Sequence, residues 1–388
     1  MQNIIRQYIT KKDQLQRLIL LMIGTLFCMG LFFLFYAYIA EAIKLPNIKI
    51  FNNLGVQIAA FGVGLLVMYL VSRLKYQVYR RHILLIGGLS LVSMLLLVTP
   101  LAIERNGAVR WLDLGILQFQ PSEILKLGFV LFFAFLFTQK SIRNNVKKLL
   151  TFTAAGFIVL LGTSVLQPDY GAAVIIGSAI MGMAIIARLP KVWWISIISA
   201  LIVASIGLSF VAPSYIANRF KVFYDINFGE LTPEQRYGEA YHSLQNLEAV
   251  RVGGLLGQGP GYVAQSSHLS IPEVTTDSIF ALIAAEVGFI GSLILITLFL
   301  CFFLLCYTIA DFTKDPFGKY VVVGITTLFA AQFFVNILVV LGLPATGIPL
   351  IFFSRGGSSL VITLASVGII LNVLKQKPTR REIYRGEI

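Results

Sequence analysis

The chain has 388 residues, 57% of them hydrophobic and 13% charged, and its 31 Lys+Arg against 18 Asp+Glu give a formal net charge of +13. Soluble globular chains are about half apolar and about one-quarter charged, so these figures exclude an ordinary water-soluble fold and point to a membrane protein. A spanning helix takes about 20 apolar residues, which leaves room for roughly ten spans and one or two sizeable loops, but not for a large soluble domain as well.

Apolar runs predict spans at 17–40, 55–72, 83–102, 122–139, 149–166, 171–187, 192–212, 278–309, 320–341 and 351–374. The first run has no small-residue cleavage site and is read as a retained helix rather than a signal peptide. The expected fold class is an all-α polytopic membrane protein: about ten transmembrane helices, with one large extracytoplasmic loop between helices seven and eight. Residues 1–388 are read as one integral-membrane domain, in which 1–16 form an N-terminal segment, 214–277 the large loop and 375–388 a tail.

An even number of spans puts both termini on one side, and the charges then sort. The terminal side holds 21 basic residues, among them Arg73, Lys75, Arg80 and Arg81, against 5 acidic ones, a net +16; the rest of the chain has 10 against 13, a net −3. Basic loops mark the cytoplasmic face, so both termini are expected in the cytoplasm, and the positive charge needs no nucleic-acid partner. Trp193 and Trp194 beside Lys191 fit an interfacial belt on that face. Cys28, Cys301 and Cys306 lie within spans and are expected to be buried, apolar thiols, and the scattered His82, His242 and His268 give no metal-ligand spacing.

Two outer loops are long, 103–121 and 214–277. In the second, Thr232, Pro233 and Gln235 have the order of a helix start, and Tyr237, Tyr241 and Leu244 follow at i, i+4, i+7. An amphipathic helix on the outer membrane surface is expected there, closed by a tight turn at Gly253, Gly254, Gly257, Gly259 and Gly261. Ionisable residues stand in or beside the apolar runs at Glu123, Lys126, Asp169, Asp277 and Glu286, and charge in such places is costly and marks function or cavity lining by default. Glu123 and Lys126, at i and i+3, share a helix face and can pair; a purely structural ion pair is an equal reading. Asp169 and Asp277 each precede an apolar run, where a helix N-cap is the plainer role. Glu286, nine residues past Asp277, points away from it on a straight helix. These features leave a membrane enzyme and a transporter both open. The outward placement of the polar residues and the absence of a recognisable internal repeat favour the enzyme.

Five segments in order resemble the SEDS family of polytopic peptidoglycan glycosyltransferases. They are Arg105-Asn106-Gly107-Ala108 with Arg110-Trp111 through Gln120-Pro121-Ser122-Glu123 and Lys126; Gln167-Pro168-Asp169-Tyr170-Gly171; Tyr241 through Gln245 to Gly253-Gly254-Leu255 and Gly257-Gln258-Gly259-Pro260-Gly261; Pro272-Glu273, Thr276-Asp277, Glu286 and Gly288; and Gln332 and Asn336 to Pro344-Ala345-Thr346-Gly347-Ile348-Pro349-Leu350, Ser354 and Gly356-Gly357-Ser358-Ser359.

The resemblance implies polymerisation of lipid II into glycan strands at the outer face of the bacterial cytoplasmic membrane, for cell division or elongation, by an inverting glycosyltransferase. It implies Asp277 as the catalytic carboxylate, and Glu123, Lys126, Asp169, Arg110 and Arg219 as substrate-binding residues, with Lys126 toward the pyrophosphate and Glu123 orienting it. A divalent cation, Mg2+ or Mn2+, is expected with no nameable ligands, and a class B penicillin-binding protein transpeptidase is the expected partner. The chain departs from the family pattern at Thr275, where His is usual, and at His242, Ser278, Ile351 and Arg355. The alternative activity is a lipid II flippase, which needs a polar path through the whole membrane; a structural scaffold is the third reading.

Overall fold

The computed structural model describes residues 2–44, 49–105, 108–113, 118–166, 169–197, 199, 221–226, 228–238, 240–343 and 347–376. The helices, in chain order, are α1 (Gln2–Lys44), α2 (Ile50–Arg73), α3 (Gln77–Arg81), α4 (Ile83–Leu95), α5 (Pro121–Thr138), α6 (Lys140–Arg143), α7 (Val146–Leu166) and α8 (Tyr170–Ile186). After the large loop's short helices α9 (Pro233–Tyr237), α10 (Tyr241–Gly253) and α11 (Tyr262–Gln265) come α12 (Ile279–Phe312), α13 (Pro316–Val340) and α14 (Gly357–Leu374). Six of these are long and apolar enough to cross a membrane, and Ile83–Val98 and Gly171–Ile186 are shorter apolar helices. The protein is thus an all-α polytopic membrane protein. Of the expected seventh span, 192–197 is helical, and most of the remainder lies outside the described residues.

α13 sits at the centre of the bundle, packed against α5, α8 and α12, while α14 lies along α2. Small residues allow the closest approaches. A Cβ at Gly324 on α13 would meet Val130 and Met183 at 2.7 and 2.8 Å, and one at Gly368 on α14 would meet the backbone of Met68 at 2.6 Å. In lipid there is no water to drive helices together, so such close van der Waals contact supplies much of the association.

Several expectations need correction. The 103–121 connection is a three-stranded antiparallel sheet, β1 (Ala102–Arg105), β2 (Ala108–Asp113) and β3 (Gln118–Phe119), in the order β1-β2-β3. Trp193 is fully buried and donates from Nε1 to the Thr153 hydroxyl at 3.2 Å, so it is a core residue and not an interfacial anchor. Cys28 and Cys301 face outward from the bundle; of the three thiols, Cys306 is buried. The last span begins at Gly357, and 347–356 is irregular, although Ile348 and Leu350 through Ser354 are buried.

The loop helix also differs from its prediction. Thr232 does form a capping box with Gln235, but the helix it starts ends after one turn at Gly238, and Tyr237 is exposed. The following α10 buries Ser243, Asn246, Ala249 and Gly253 against α12. Its small-residue face, rather than the predicted tyrosine and leucine face, meets the protein. The glycine turn then seats on a break in α12 at Gly288, where φ is +67° and ψ −167°. Gly259 and Gln258 donate their N–H groups to the carbonyls of Glu286 and Ala285 at 2.9 and 3.0 Å, and Phe289 and Ile290 donate to Gly254 and Leu255 at 2.9 and 3.1 Å. Backbone groups released by the break are thereby satisfied by the loop, which the absence of helical partners would otherwise make costly.

Candidate active site

Asp277 stands just before α12. The chain reverses at Glu273, whose φ of +49° lies in the left-handed region, and the N–H groups of Thr276 and Ser278 fold onto the Glu273 carbonyl at 2.9 and 3.3 Å. A left-handed conformation in a residue with a Cβ is uncommon and persists only where surrounding contacts impose it. Those contacts come from the irregular 347–356 segment. The Thr275 carbonyl accepts from Arg355 N at 2.7 Å, and the Thr276 carbonyl accepts from the Ser354 hydroxyl.

Ser278, not Asp277, occupies the N-cap position of α12, and no side-chain cap bond forms there. The capping role weighed for Asp277 is therefore corrected. The Asp277 carboxylate is buried at 6% exposure, with the Thr276 hydroxyl 3.4 Å from Oδ1. That hydroxyl also reaches Glu273 Oε2 at 3.0 Å and the Glu273 carbonyl at 3.1 Å, and one hydrogen cannot serve all three acceptors. Burial pushes the Asp277 carboxyl above the ordinary carboxylate range; His242 opposes that rise, and the Glu273 charge adds to it.

Below Asp277 a ladder of side-chain amides descends along α13. Asn336 Nδ2 donates to the Asp277 carbonyl at 2.9 Å and to the Ile348 carbonyl at 2.8 Å. One turn further, Gln332 Nε2 donates to the Pro349 carbonyl at 2.9 Å, and its Oε1 lies a long 3.5 Å from Lys126 Nζ. Lys126 in turn pairs with Glu123 at 2.8 Å, both side chains being only 6% exposed. From α2, Gln57 Nε2 donates to the Ser354 carbonyl at 3.2 Å, and its Oε1 accepts from Gly356 N at 3.3 Å. The irregular segment is thus held by side chains from two spanning helices.

The other expected site residues divide. Arg110, on β2, reaches the same segment, its Nη1 lying 3.4 Å from where a Cβ on Gly347 would stand. Asp169 is the N-cap of α8 and accepts from Ala172 N at 3.0 Å, which commits one carboxylate oxygen. Arg219 lies outside the described residues. Beside the Glu123–Lys126 pair the space amounts to about 10 Å³, room for a water at most, so Lys126 meets no pyrophosphate in this conformation. Gln57 was missed; a lone amide inside the apolar run 55–72 is the signal that could have singled it out. Among the described residues no group of three or more His, Cys, Asp or Glu side chains stands ready to hold a metal ion.

The family model describing FtsW, RodA and SpoVE cell cycle proteins matches residues 16–379. The chain belongs to this family. Stage V sporulation protein E of Bacillus subtilis is 32% identical over 327 residues, 82% of this chain and 85% of the relative. A probable peptidoglycan glycosyltransferase FtsW of Trichlorobacter lovleyi is 33% identical over 322 residues, 80% of each chain. Peptidoglycan glycosyltransferase MrdB of Escherichia coli is 29% identical over 329 residues, 82% of this chain and 84% of the relative. Among solved structures, a chain of a peptidoglycan synthase complex, described for its coordination of polymerization and crosslinking, superposes with a TM-score of 0.73 at 25% identity, covering 92% of this chain and 96% of that one. The Thermus thermophilus rod shape determining protein RodA shares the fold, with a TM-score of 0.65 at 24% identity over 92% of this chain and 97% of that one. For this FtsW/RodA/SpoVE-family member the ladder from Asp277 to Lys126 gathers, in one stack, residues drawn from three of the five sequence segments that carried the resemblance.

Proposed function

We propose that this protein polymerises peptidoglycan glycan strands from lipid II at the outer face of the cytoplasmic membrane, with both termini in the cytoplasm. The observation that carries the reading is Asp277, a buried carboxylate at the mouth of the bundle that no helix cap consumes. Glycosyl transfer needs a base for the acceptor hydroxyl, and a carboxylate raised from its ordinary range by burial is a stronger base than an ordinary one. The acceptor 4-hydroxyl gives its proton to Asp277 as its oxygen attacks the anomeric carbon of the donor glycan from the face opposite the leaving pyrophosphate, so the configuration inverts. Positioned general bases contribute about 10² to 10⁴-fold, and stabilisation of the departing diphosphate must supply a comparable factor.

Arg110 is the cation assigned to that diphosphate, because it sits at the outer irregular segment that also holds Asp277. Lys126 and Glu123, enclosed by protein, support the floor through Gln332 and Asn336. The described donor set does not fit a protein-built metal site; Mg2+ or Mn2+ would arrive on the diphosphate itself. A class B penicillin-binding protein transpeptidase is the proposed partner, consistent with the synthase complex that the fold resembles. The test is polymerisation of lipid II by the purified protein with that partner. Wild-type protein should make glycan strands and Asp277→Asn should make none, and full activity of the Asn variant would remove Asp277 from the mechanism.

A further inference from the structure

α10 brings a second titratable group to the head of α12. His242 Nε2 lies 2.6 Å from the hydroxyl of Ser278, the residue immediately after Asp277. Ser278 is fully buried and makes no cap bond to its own helix, so the imidazole is the partner that its hydroxyl finds. The far end of α10 fixes this register: a Cβ at Gly253 would strike the Ala284 carbonyl, and Gly257 N and Gly259 N are both tied down, to Gly253 and Glu286. α10 therefore cannot slide along α12 to carry His242 away. After burial, His242 is the strongest influence on Asp277, and it acts against burial, whereas Glu273 acts with it. Arg355 and Glu41 complete the charged surroundings; both interact with one another, and Glu41 also senses Glu273.

We propose that His242 is a positioning residue for Asp277: anchored by the Ser278 hydroxyl, its imidazole holds the neighbouring carboxylate in the ionised form that accepts the proton of the acceptor hydroxyl. The proton passes from the sugar oxygen to Asp277, and His242 contributes charge and placement without bonding to the sugar. The inference rests on the reading of Asp277 as the base. Positive charge on an imidazole beside a carboxylate favours the carboxylate's charged form, and His242 acts on Asp277 in that direction, against burial and Glu273.

The experiment is the pH profile of kcat/KM for lipid II polymerisation by the purified protein with its transpeptidase partner, comparing His242→Gln, Ser278→Ala and Asp277→Asn with wild type. His242→Gln keeps a hydrogen-bonding group toward Ser278 but carries no charge. Its acidic limb should move to higher pH by about one unit, a loss of about tenfold on the acidic side that closes to within about twofold on the alkaline side. Ser278→Ala should move the limb the same way by less. A profile superimposable on wild type, or a loss equal at every pH, overturns the role of His242. Should His242→Gln fail to give a cooperative melt in detergent, the Ser278→Ala limb decides the question alone. If Asp277→Asn still polymerises, the base assignment itself fails and the His242 role falls with it; if Asp277→Asn is inactive, the His242 and Ser278 profiles judge this inference separately.

Discussion

The side-chain amide of Asn336, near the C-terminal end of the membrane-spanning α13, donates to the backbone carbonyl of Asp277 at 2.9 Å. The same Nδ2 donates to Ile348 at 2.8 Å, so one buried amide joins the loop before α12 to the irregular segment before α14. The placement of the proposed base thus depends on a side chain from another helix.

Asn336→Leu should therefore lower both stability and activity. It keeps the volume but strips two buried carbonyls of their donor, and each unsatisfied group costs about 1–3 kcal/mol. The expected result is a lower melting temperature in detergent and a loss of polymerisation of roughly tenfold or more, since a slight misplacement of a reacting group is expensive. Wild-type melting with wild-type rates would show that the two hydrogen bonds do not hold the site.

The Glu123–Lys126 pair predicts a non-additive result. Both groups are 6% exposed, so Lys126→Met alone strands a buried carboxylate and should cost about 3–5 kcal/mol. Glu123→Gln with Lys126→Met removes both charges and should recover most of that stability. If the pair only offsets its own burial, the double variant regains polymerisation along with its melting temperature. If Lys126 supports the floor of the site through Gln332, the double variant stays impaired, and this second outcome is expected.

Much of this arrangement was legible in the sequence. Nine of the ten apolar runs correspond to helices among the described residues, because twenty consecutive apolar residues have few other solutions. The i, i+3 spacing of Glu123 and Lys126 already put them on one face, and the capping box at Thr232 was readable from residue order. Three things were not legible. Residues 351–353 continue the apolar run, and the tertiary partners Gln57, Gln332 and Asn336 hold the backbone of 348–356 out of the helix. The bend at Gly288 depends on a loop arriving from some thirty residues earlier in the chain, which no local pattern encodes. Asp277 precedes an apolar run as a cap would, and the offset of one residue that frees it is finer than sequence patterns resolve.

The wedge of the glycine turn into α12 gives a third expectation. Gly288 has a φ of +67°, and a Cβ there would meet the Leu255 carbonyl oxygen at 2.7 Å as well as Gly257 N. Gly288→Ala adds left-handed strain to a clash between two backbones, neither of which can turn aside, and should cost several kcal/mol. Gly24, where nothing stands within 4 Å of an added Cβ, is the control, and Gly24→Ala should melt like wild type. Equal melting of the Gly288 and Gly24 variants would mean that α12 can straighten and the loop can seat elsewhere.

Asp277→Asn should be inactive and yet more stable. A carboxyl whose pKa is raised in the folded state binds its proton more tightly there than in the unfolded chain. Its contribution favours folding at low pH, below the unfolded value, and is lost as pH rises through the folded value. Above the unfolded value the buried Asp277 is thus a net burden on stability, which the neutral Asn does not carry. Activity runs the other way, since only the ionised form is a base, so polymerisation should fall as pH drops through the raised pKa of Asp277. Melting curves across the acid-to-neutral range check both signs at once. The Asn variant should melt higher than wild type at neutral pH, and the gap should shrink as the medium is acidified. A gap that stays constant with pH would mean that His242 and Thr276 balance the cost of burial, and one of the opposite sign that they outweigh it.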